Sequence, residues 1–308
     1  MHVRFSCHVA LIVLIVTALT VLTSGVENGG RACAAAPLPD AAAVVGRLKD
    51  LGVAVKLDDR GDAVAVDFLR VRPDHFDWSQ LAALASLRSL KCPRQPITDA
   101  DLRTLSRLTK LKALALDETK ITDVGLAAAG NMTGLEELLL ANTQIGDAGI
   151  ERLLRLQRLK KLRLSGTRIS DAGLTRLAAL KNLRDLDLSK TQVGDAGLKE
   201  LTALAHLSRL NLYTTRVTDA GLDALATMTG LKWLNLDKTE VSDAGLTKLA
   251  ALAGLEFLHL GRTRITDAGL AHLAGLAKLR ELHVTHTKVT ADGVKQLQQA
   301  LPACDIQH

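Results

Sequence analysis

Residues 231–254 read LKWLNLDKTEVSDAGLTKLAALAG, and residues 255–278 read LEFLHLGRTRITDAGLAHLAGLAK. The two lines correspond position by position, and the correspondence runs on in both directions. A string of the form Ile/Val-x-Asp-Ala-Gly, or a close variant, starts at Ile97, Ile121, Ile145, Ile169, Val193, Val217, Val241, Ile265 and Val289, always 24 residues apart. Upstream of each lies L-x-x-L-x-L or a near form, as in Leu111/Leu114/Leu116 and Leu231/Leu234/Leu236; downstream lies L-x-x-L-x-x-L, as in Leu174/Leu177/Leu180. Self-similarity at a fixed period is the signature of a repeat architecture.

The two halves of each unit have different periods. Leu114-x-Leu116 alternates and predicts a short strand, whereas Leu174, Leu177 and Leu180 predict one apolar stripe on a helix. Ser170 and its equivalents (Thr, Ser or Gly) stand where a helix cap is needed, and Asp171 and its equivalents place negative charge in the first turn. Gly173 and its equivalents allow close approach to the neighbouring unit, although glycine costs about 1 kcal/mol inside a helix. One unit cannot bury its leucines alone; stacked units can. A threonine column (Thr119, Thr143, Thr167, Thr191, Thr215, Thr239, Thr263, Thr287) marks where the chain leaves each strand. There a small hydroxyl can satisfy backbone groups of the turn, so the column reads as structural.

The pattern L-x-x-L-x-L-x-x-T-x-I-T-D-A-G-L-x-x-L resembles the leucine-rich repeat over about residues 87–302. More narrowly it resembles the cysteine-containing subclass familiar from F-box proteins and many exported bacterial proteins, with threonine in a column often held by cysteine or asparagine. The ITDAGL form is most similar to the repeat sets of planctomycete-type bacteria. The resemblance implies an α/β fold: a right-handed horseshoe solenoid of 24-residue repeats, parallel strands on its concave face and helices on its convex face. It implies recognition or scaffolding and does not carry over the ubiquitin role of F-box proteins.

Composition agrees with a thin, repetitive core. The chain of 308 residues is 47% apolar but only 2% aromatic, so leucine and alanine must supply the bulk. Disorder is excluded by that apolar fraction, and a disulfide-built scaffold by four cysteines in such a length. Basic residues number 39 and acidic ones 33, for a net charge of +6. The signs are interspersed, which argues for solubility and against nucleic acid as a partner.

The first residues read as an address. Arg4 precedes the apolar run Val9–Leu22 (VALIVLIVTALTVL), fourteen residues where a membrane span needs roughly 20. This matches a secretory signal within residues 1–36, with cleavage after residue 25 or after residue 34. The alternative is an uncleaved N-terminal anchor, the one route by which the membrane becomes a partner. Either reading exports the bulk of the chain to the periplasm, the cell envelope or the outside. Export permits disulfides, but Cys92 and Cys304 lie near opposite ends of the array, roughly eight strand spacings of about 4.8 Å apart. Both read as small buried hydrophobes.

The ends read as caps. Residues 37–86 predict a helix over Asp40–Leu51, a hairpin around Asp58-Asp59-Arg60-Gly61-Asp62, and a degenerate repeat with its stripe at Leu81, Leu84 and Leu87. Nine repeats then fill 87–302, and 303–308 add a last short strand.

With leucines inward, the positions between them face the concave surface, where such solenoids bind partners. The residue between the second and third leucine runs Lys91, Ala115, Leu139, Arg163, Asp187, Asn211, Asn235, His259, His283. Two residues before that column, Trp233 and Phe257 share a phase in adjacent units, and Tyr213 lies on the same side one unit earlier. Three of the seven aromatics thus fall within three units, at positions predicted to be exposed. Tyrosine and tryptophan are enriched at binding hot spots. The candidate partner-binding residues are therefore Tyr213, Trp233, Phe257, Asn211, Asn235, His259 and His283. A protein partner is expected, with carbohydrate or cell wall as the alternative.

No metal is expected at His259, His283 and His286, because Glu281 is the one carboxylate at hand, and no cofactor is expected. No nucleophile elbow, H-E-x-x-H or phosphate loop is present, and Asp185 and Asp187 read as ion-paired with Arg184 and Lys161. No catalytic residues are assigned, and the chain is not expected to be an enzyme. Asn131-Met132-Thr133 fits a glycosylation sequon that a bacterial protein would leave unused.

Overall fold

The structure, a computed structural model, describes residues 39–308. The signal expected within residues 1–36, with both of its cleavage positions, lies outside the described residues.

Helix α1 (Ala41–Asp50) opens on Asp40, whose side chain accepts from the Ala43 N–H, and it buries Val44 and Leu48. Strands β1 (Ala54–Leu57) and β2 (Ala63–Asp67) pair antiparallel. Asp58 Oδ1 accepts from the Arg60 and Asp62 N–H groups at 3.0 Å and closes their turn. Phe68, Phe76 and Trp78 form an edge-to-face cluster with ring centroids 4.9–5.4 Å apart. This is a conventional aromatic core, and within the described residues all three of its rings are buried.

The repeat supplies nine three-residue strands: β3 (Ser89–Lys91), β4 (Ala113–Ala115), β5 (Glu137–Leu139), β6 (Lys161–Arg163), β7 (Asp185–Asp187), β8 (Arg209–Asn211), β9 (Trp233–Asn235), β10 (Phe257–His259) and β11 (Glu281–His283). With β12 (Asp305–Gln307) they complete a twelve-stranded sheet whose order is the chain order. Every pairing after β1–β2 is parallel, and from β3 to β12 each residue lies opposite the one 24 positions later. The central leucines, Leu90 through Leu282, are fully buried. The fold is an α/β repeat solenoid, as the period-two and period-three patterns imply.

The helical stripe is shorter than expected. Helix α2 (Asp171–Leu177) carries Leu174 and Leu177, while Leu180 lies in the turn beyond it, its N–H donating to Leu177 O at 2.9 Å. Leu81 likewise lies on a 3₁₀ segment, Trp78–Ala83, with Leu84 and Leu87 past its end. A spacing of three, three matches the three-residue turn of a 3₁₀ helix better than the 3.6 of an α-helix. Cys92 and Cys304 are both buried and free.

Two ladders tie unit to unit beyond the strands. Three residues after each strand the chain adopts a left-handed conformation, with φ of 52–60° at Arg94, Glu118, Asn142, Lys190, Thr214, Lys238, Arg262 and His286, and with Gly166 in the same column. For L-residues this costs roughly 1–2 kcal/mol each. It turns each N–H toward the next unit: Lys190 N donates to Tyr213 O at 2.7 Å and Lys238 N to Gly261 O at 2.8 Å. The second ladder uses the aspartates. Asp243, first residue of α3 (Asp243–Leu249), accepts from the Thr266 N–H at 2.7 Å and hydroxyl at 2.6 Å. Thr266 in turn caps the next helix by accepting from Ala268 N. The same pair of bonds joins Asp99 to Thr122 and Asp195 to Thr218. So the aspartate does more than offset a helix dipole: it holds the next unit's cap. The threonine column is structural, each hydroxyl donating to the carbonyl three residues back at 2.5–2.7 Å.

The helix glycines accommodate the aspartates. A methyl group at Gly197 would lie 2.5 Å from Asp171 Oδ1 and 2.9 Å from Leu174 Cδ1. Helix propensity alone makes Gly197→Ala stabilising by about 1 kcal/mol, whereas overpacking costs about 1–3 kcal/mol. Contact wins here because the methyl meets an aspartate held by the Gly194 N–H of the next unit at 2.7 Å. Gly197→Ala is expected to lower the thermal midpoint; a raised midpoint would show the aspartate free to move aside.

Candidate functional site

Side chains at the first and third residue of every strand point away from the leucine core, so the outer face of the sheet is a set of columns with a step of one strand. One column reads Arg209, Trp233, Phe257, Glu281, and the next Asn211, Asn235, His259, His283. All are half-buried except Arg209, which is exposed.

The rings of Trp233 and Phe257 stand side by side, with centroids 4.7 Å apart and planes 7° from parallel. On the β8 side of Trp233 the Arg209 guanidinium covers the indole, with Cζ 3.6 Å from the ring centroid. On the β11 side of Phe257 lies the His283 ring at 5.3 Å, and His283 and His259 are 4.7 Å apart. Four adjacent strands therefore carry one continuous row of planar groups: Arg209, Trp233, Phe257, His283. A stacked pair contributes about 0.5–1.5 kcal/mol beyond area burial, and an exposed cation–π contact about 0.5–1 kcal/mol. The rings are thus held in place by their own neighbours.

Titratable groups border the row. His283 Nε2 lies 2.6 Å from Glu281 Oε1, and His259 Nδ1 lies 3.7 Å from Asp237 Oδ2. Burial pushes the His259 imidazole below its ordinary pKa, with Asp237 opposing and the His283 and Arg262 charges assisting. Asp237 is buried and gripped by Arg262, whose Nε donates to Oδ1 at 2.9 Å and whose Nη2 donates to Oδ2. Asp237 carries no leucine-phase signal, yet its place in the column of Tyr213 could have revealed it.

The other sequence candidates divide. Asn235 Oδ1 accepts from Asp237 N at 2.8 Å and Asn211 Oδ1 from Tyr213 N at 3.2 Å, so both carbonyls close their own turns. Tyr213 stands apart from the row among cations, with Lys190 Nζ 5.7 Å and Arg262 Cζ 5.4 Å from its ring centroid. His286 is exposed in the left-handed column. Among the described residues no group of three or more His, Cys, Asp or Glu side chains is arranged to hold a metal ion.

Asp185 and Asp187 correct one expectation. Asp185 faces Arg209 at 3.8 Å and Asp187 faces Arg163 at 3.8 Å, while Lys161 pairs with Glu137 at 3.1 Å. Arg184 precedes the strand and is not the partner; opposite charges meet across strands instead of along one. Composition columns also missed a shallow depression on β3–β5, floored by Leu69, Ala115, Leu139 and Ala141. Leu69, at 53% exposure, is among the large apolar side chains most open to solvent.

A family profile described as Leucine Rich repeat matches residues 156–178, 179–201 and 275–297. No curated protein matches in sequence. Among solved structures, internalin C2 of Listeria monocytogenes is 27% identical with a TM-score of 0.51, covering 68% of this chain and 84% of its own. A leucine-rich repeat protein of Leptospira interrogans is 20% identical with a TM-score of 0.56, covering 75% of this chain and 62% of its own. The ectodomain of the Arabidopsis receptor kinase HAESA, solved with an extended IDA peptide hormone, is 17% identical with a TM-score of 0.60; the match covers 80% of this chain and 45% of that one. The chain carries leucine-rich repeats and folds as a leucine-rich repeat solenoid.

Because the folded state holds His259 below its ordinary pKa of 6.5, the unfolded chain binds the proton first. Its contribution to stability is therefore intact above pH 6.5 and is lost as pH falls toward the folded pKa. The thermal midpoint of His259→Gln relative to the parent should rise as pH is lowered from 7.5 to 5.5. A constant offset over that range would show that His259 titrates normally.

Proposed function

We propose that this chain is an exported recognition scaffold that binds a protein partner on the outer face of strands β8–β11, the concave face of the solenoid. The observation that carries the reading is the partition of the aromatics. Of six among the described residues, three form the buried cap cluster, and the other three, Tyr213, Trp233 and Phe257, are half-exposed on one patch of sheet. A core built from leucine has no structural need of rings on its solvent face. Large, pre-ordered aromatics flanked by polar side chains are what hot spots are made of, and their order before binding cuts the entropy cost of association. His259, His283, Asn211 and Asn235 supply hydrogen-bonding groups around them.

A protein partner is favoured over carbohydrate by ring geometry. A sugar packs on an open ring face, but both faces of Trp233 are covered, by Arg209 and by Phe257. What the row offers is its ring edges. Aromatic edges carry partial positive charge and suit carbonyl oxygens, carboxylates and the faces of other rings. Export rests on the apolar run at 9–22 and its short basic start.

Affinity capture from an envelope extract of the source cell tests this, with the chain and its Trp233→Ala/Phe257→Ala/His259→Ala variant as parallel baits matched by circular dichroism. A protease-sensitive partner retained by the parent and weakened at least about tenfold in the variant is expected, since losing one hot-spot residue costs about 2 kcal/mol or more. A partner held equally by both baits would place binding elsewhere, and one lost after glycosidase treatment would restore carbohydrate.

A further inference from the structure

The basic side chains borne by β3–β11 all have carboxylate neighbours. Lys91 lies 3.6 Å from Asp67, Lys161 3.1 Å from Glu137, Arg163 3.7 Å from Asp117 and Arg209 3.8 Å from Asp185. One turn further along, beside Tyr213, that balance fails. Lys190 and Lys238 occupy the left-handed positions of alternate units, with no salt bridge to any described residue, and both are exposed. Arg262 stands in the same column and is committed to Asp237, so its fork is fixed in place and not free to swing away. Three cations thus surround one tyrosine, against one buried carboxylate. The phenol is held below its ordinary pKa, first by the Thr214 side chain and then, against burial and Asp237, by the charges of Arg262 and Lys238.

We propose that Tyr213, Lys190, Lys238 and Arg262 form a seat for a side-chain carboxylate of the partner, which makes that partner an acidic segment. The inference rests on the reading of the face as a protein-binding surface and names the chemistry of what it binds. The two ammonium groups are donors without a carboxylate partner among the described residues, and the phenol O–H can donate beside them. The seat lies past the strand ends, four residues on from the Trp233–Phe257 column, so at most about 13 Å away at the rise of a strand. An extended segment with an apolar or aromatic residue and an acidic one about four positions apart fits both features at once. The positively polarised ring edges favour the same occupant.

Tyr213 is the single tyrosine of the chain, so a ring-¹³C tyrosine label reports on this seat alone. The full chain is titrated at pH 7 with glutarate, with sodium chloride and with inorganic phosphate, at matched ionic strength. Glutarate should move the Tyr213 signals saturably and chloride should not. Lys190→Gln/Lys238→Gln should weaken that response about three- to tenfold, the worth of two exposed charge contacts. Trp233→Ala should leave it intact. Equal effects of glutarate and chloride, or a response unchanged in the double lysine variant, would overturn the seat. Phosphate saturating at lower concentration than glutarate would overturn the carboxylate assignment. With the captured partner, loss of binding in both the lysine and the Trp233 variants supports the seat. Loss in the Trp233 variant alone refutes it while leaving the aromatic row standing. Indifference to both refutes the row, and the glutarate response then decides the seat by itself.

Discussion

Everything on this face follows from a parallel register in which each residue pairs with the one 24 positions later. The spacing tolerates no slack. A single inserted residue would turn the strand's outward side chains inward, because strand side chains alternate with a period of two. Backbone bonds of three-residue strands would be a weak guard of that register by themselves. The aspartate bonds to the following cap and the left-handed turn bonds to the following carbonyl add a fixed point on either side of every strand. The register is thus clamped at three places per unit, and residues far apart in sequence become neighbours at one strand spacing.

Clamping has a consequence for recognition. Side chains in a column cannot drift apart, so Trp233 and Phe257 stack face to face because their strands hold them at the thickness of a ring pair. The same rule places Arg209 on the remaining face of the indole. Such a row is ordered by the backbone, and both faces of its indole are covered. The left-handed column behaves likewise. It is there to complete an inter-unit hydrogen bond, yet it also projects Lys190, Lys238 and Arg262 in a line with spacing set by the sheet. Strain spent on the fold is reused to array charge.

Most of this architecture was legible in the residues. The leucine phases gave the strands, the switch of period gave the helices, and the constant 24 gave the sheet order. Gly197 was readable as a site of close approach, though its partner, Asp171, was not. Adjacency of Trp233 and Phe257 followed from phase, but the stacked orientation did not, since phase fixes where a side chain starts and not its rotamer. Tyr213 was placed on the correct side and in company it does not keep: its column lies four residues on from the rings, past the strand ends, and its neighbours are cations. Asp237 and the ion pairs of Asp185 and Asp187 escaped because the column count followed the leucines, while charges on a sheet pair sideways. Leu180 fell outside its helix because a spacing of three does not by itself distinguish an α-turn from a 3₁₀ turn.

The strand face is therefore two surfaces. From β3 to β8 its charges are matched across neighbouring strands, and burial raises the pKa of Asp117 and Asp185 in spite of their arginine neighbours. A partner covering that half would have to dehydrate pairs already satisfied, a cost that rarely returns as affinity. Toward β11 the balance shifts: the rings of β9 and β10 are ordered and half-exposed, and the ammonium groups of Lys190 and Lys238, on the turns after β7 and β9, lack a carboxylate partner among the described residues. Complementary charge steers an encounter and fixes its register, while packed aromatics set how long the complex lasts. The two requirements meet on one end of the sheet because the repeat varies freely only at outward positions. The leucines keep the fold whatever stands between them, so four units can be specialised without a change in the architecture that carries them.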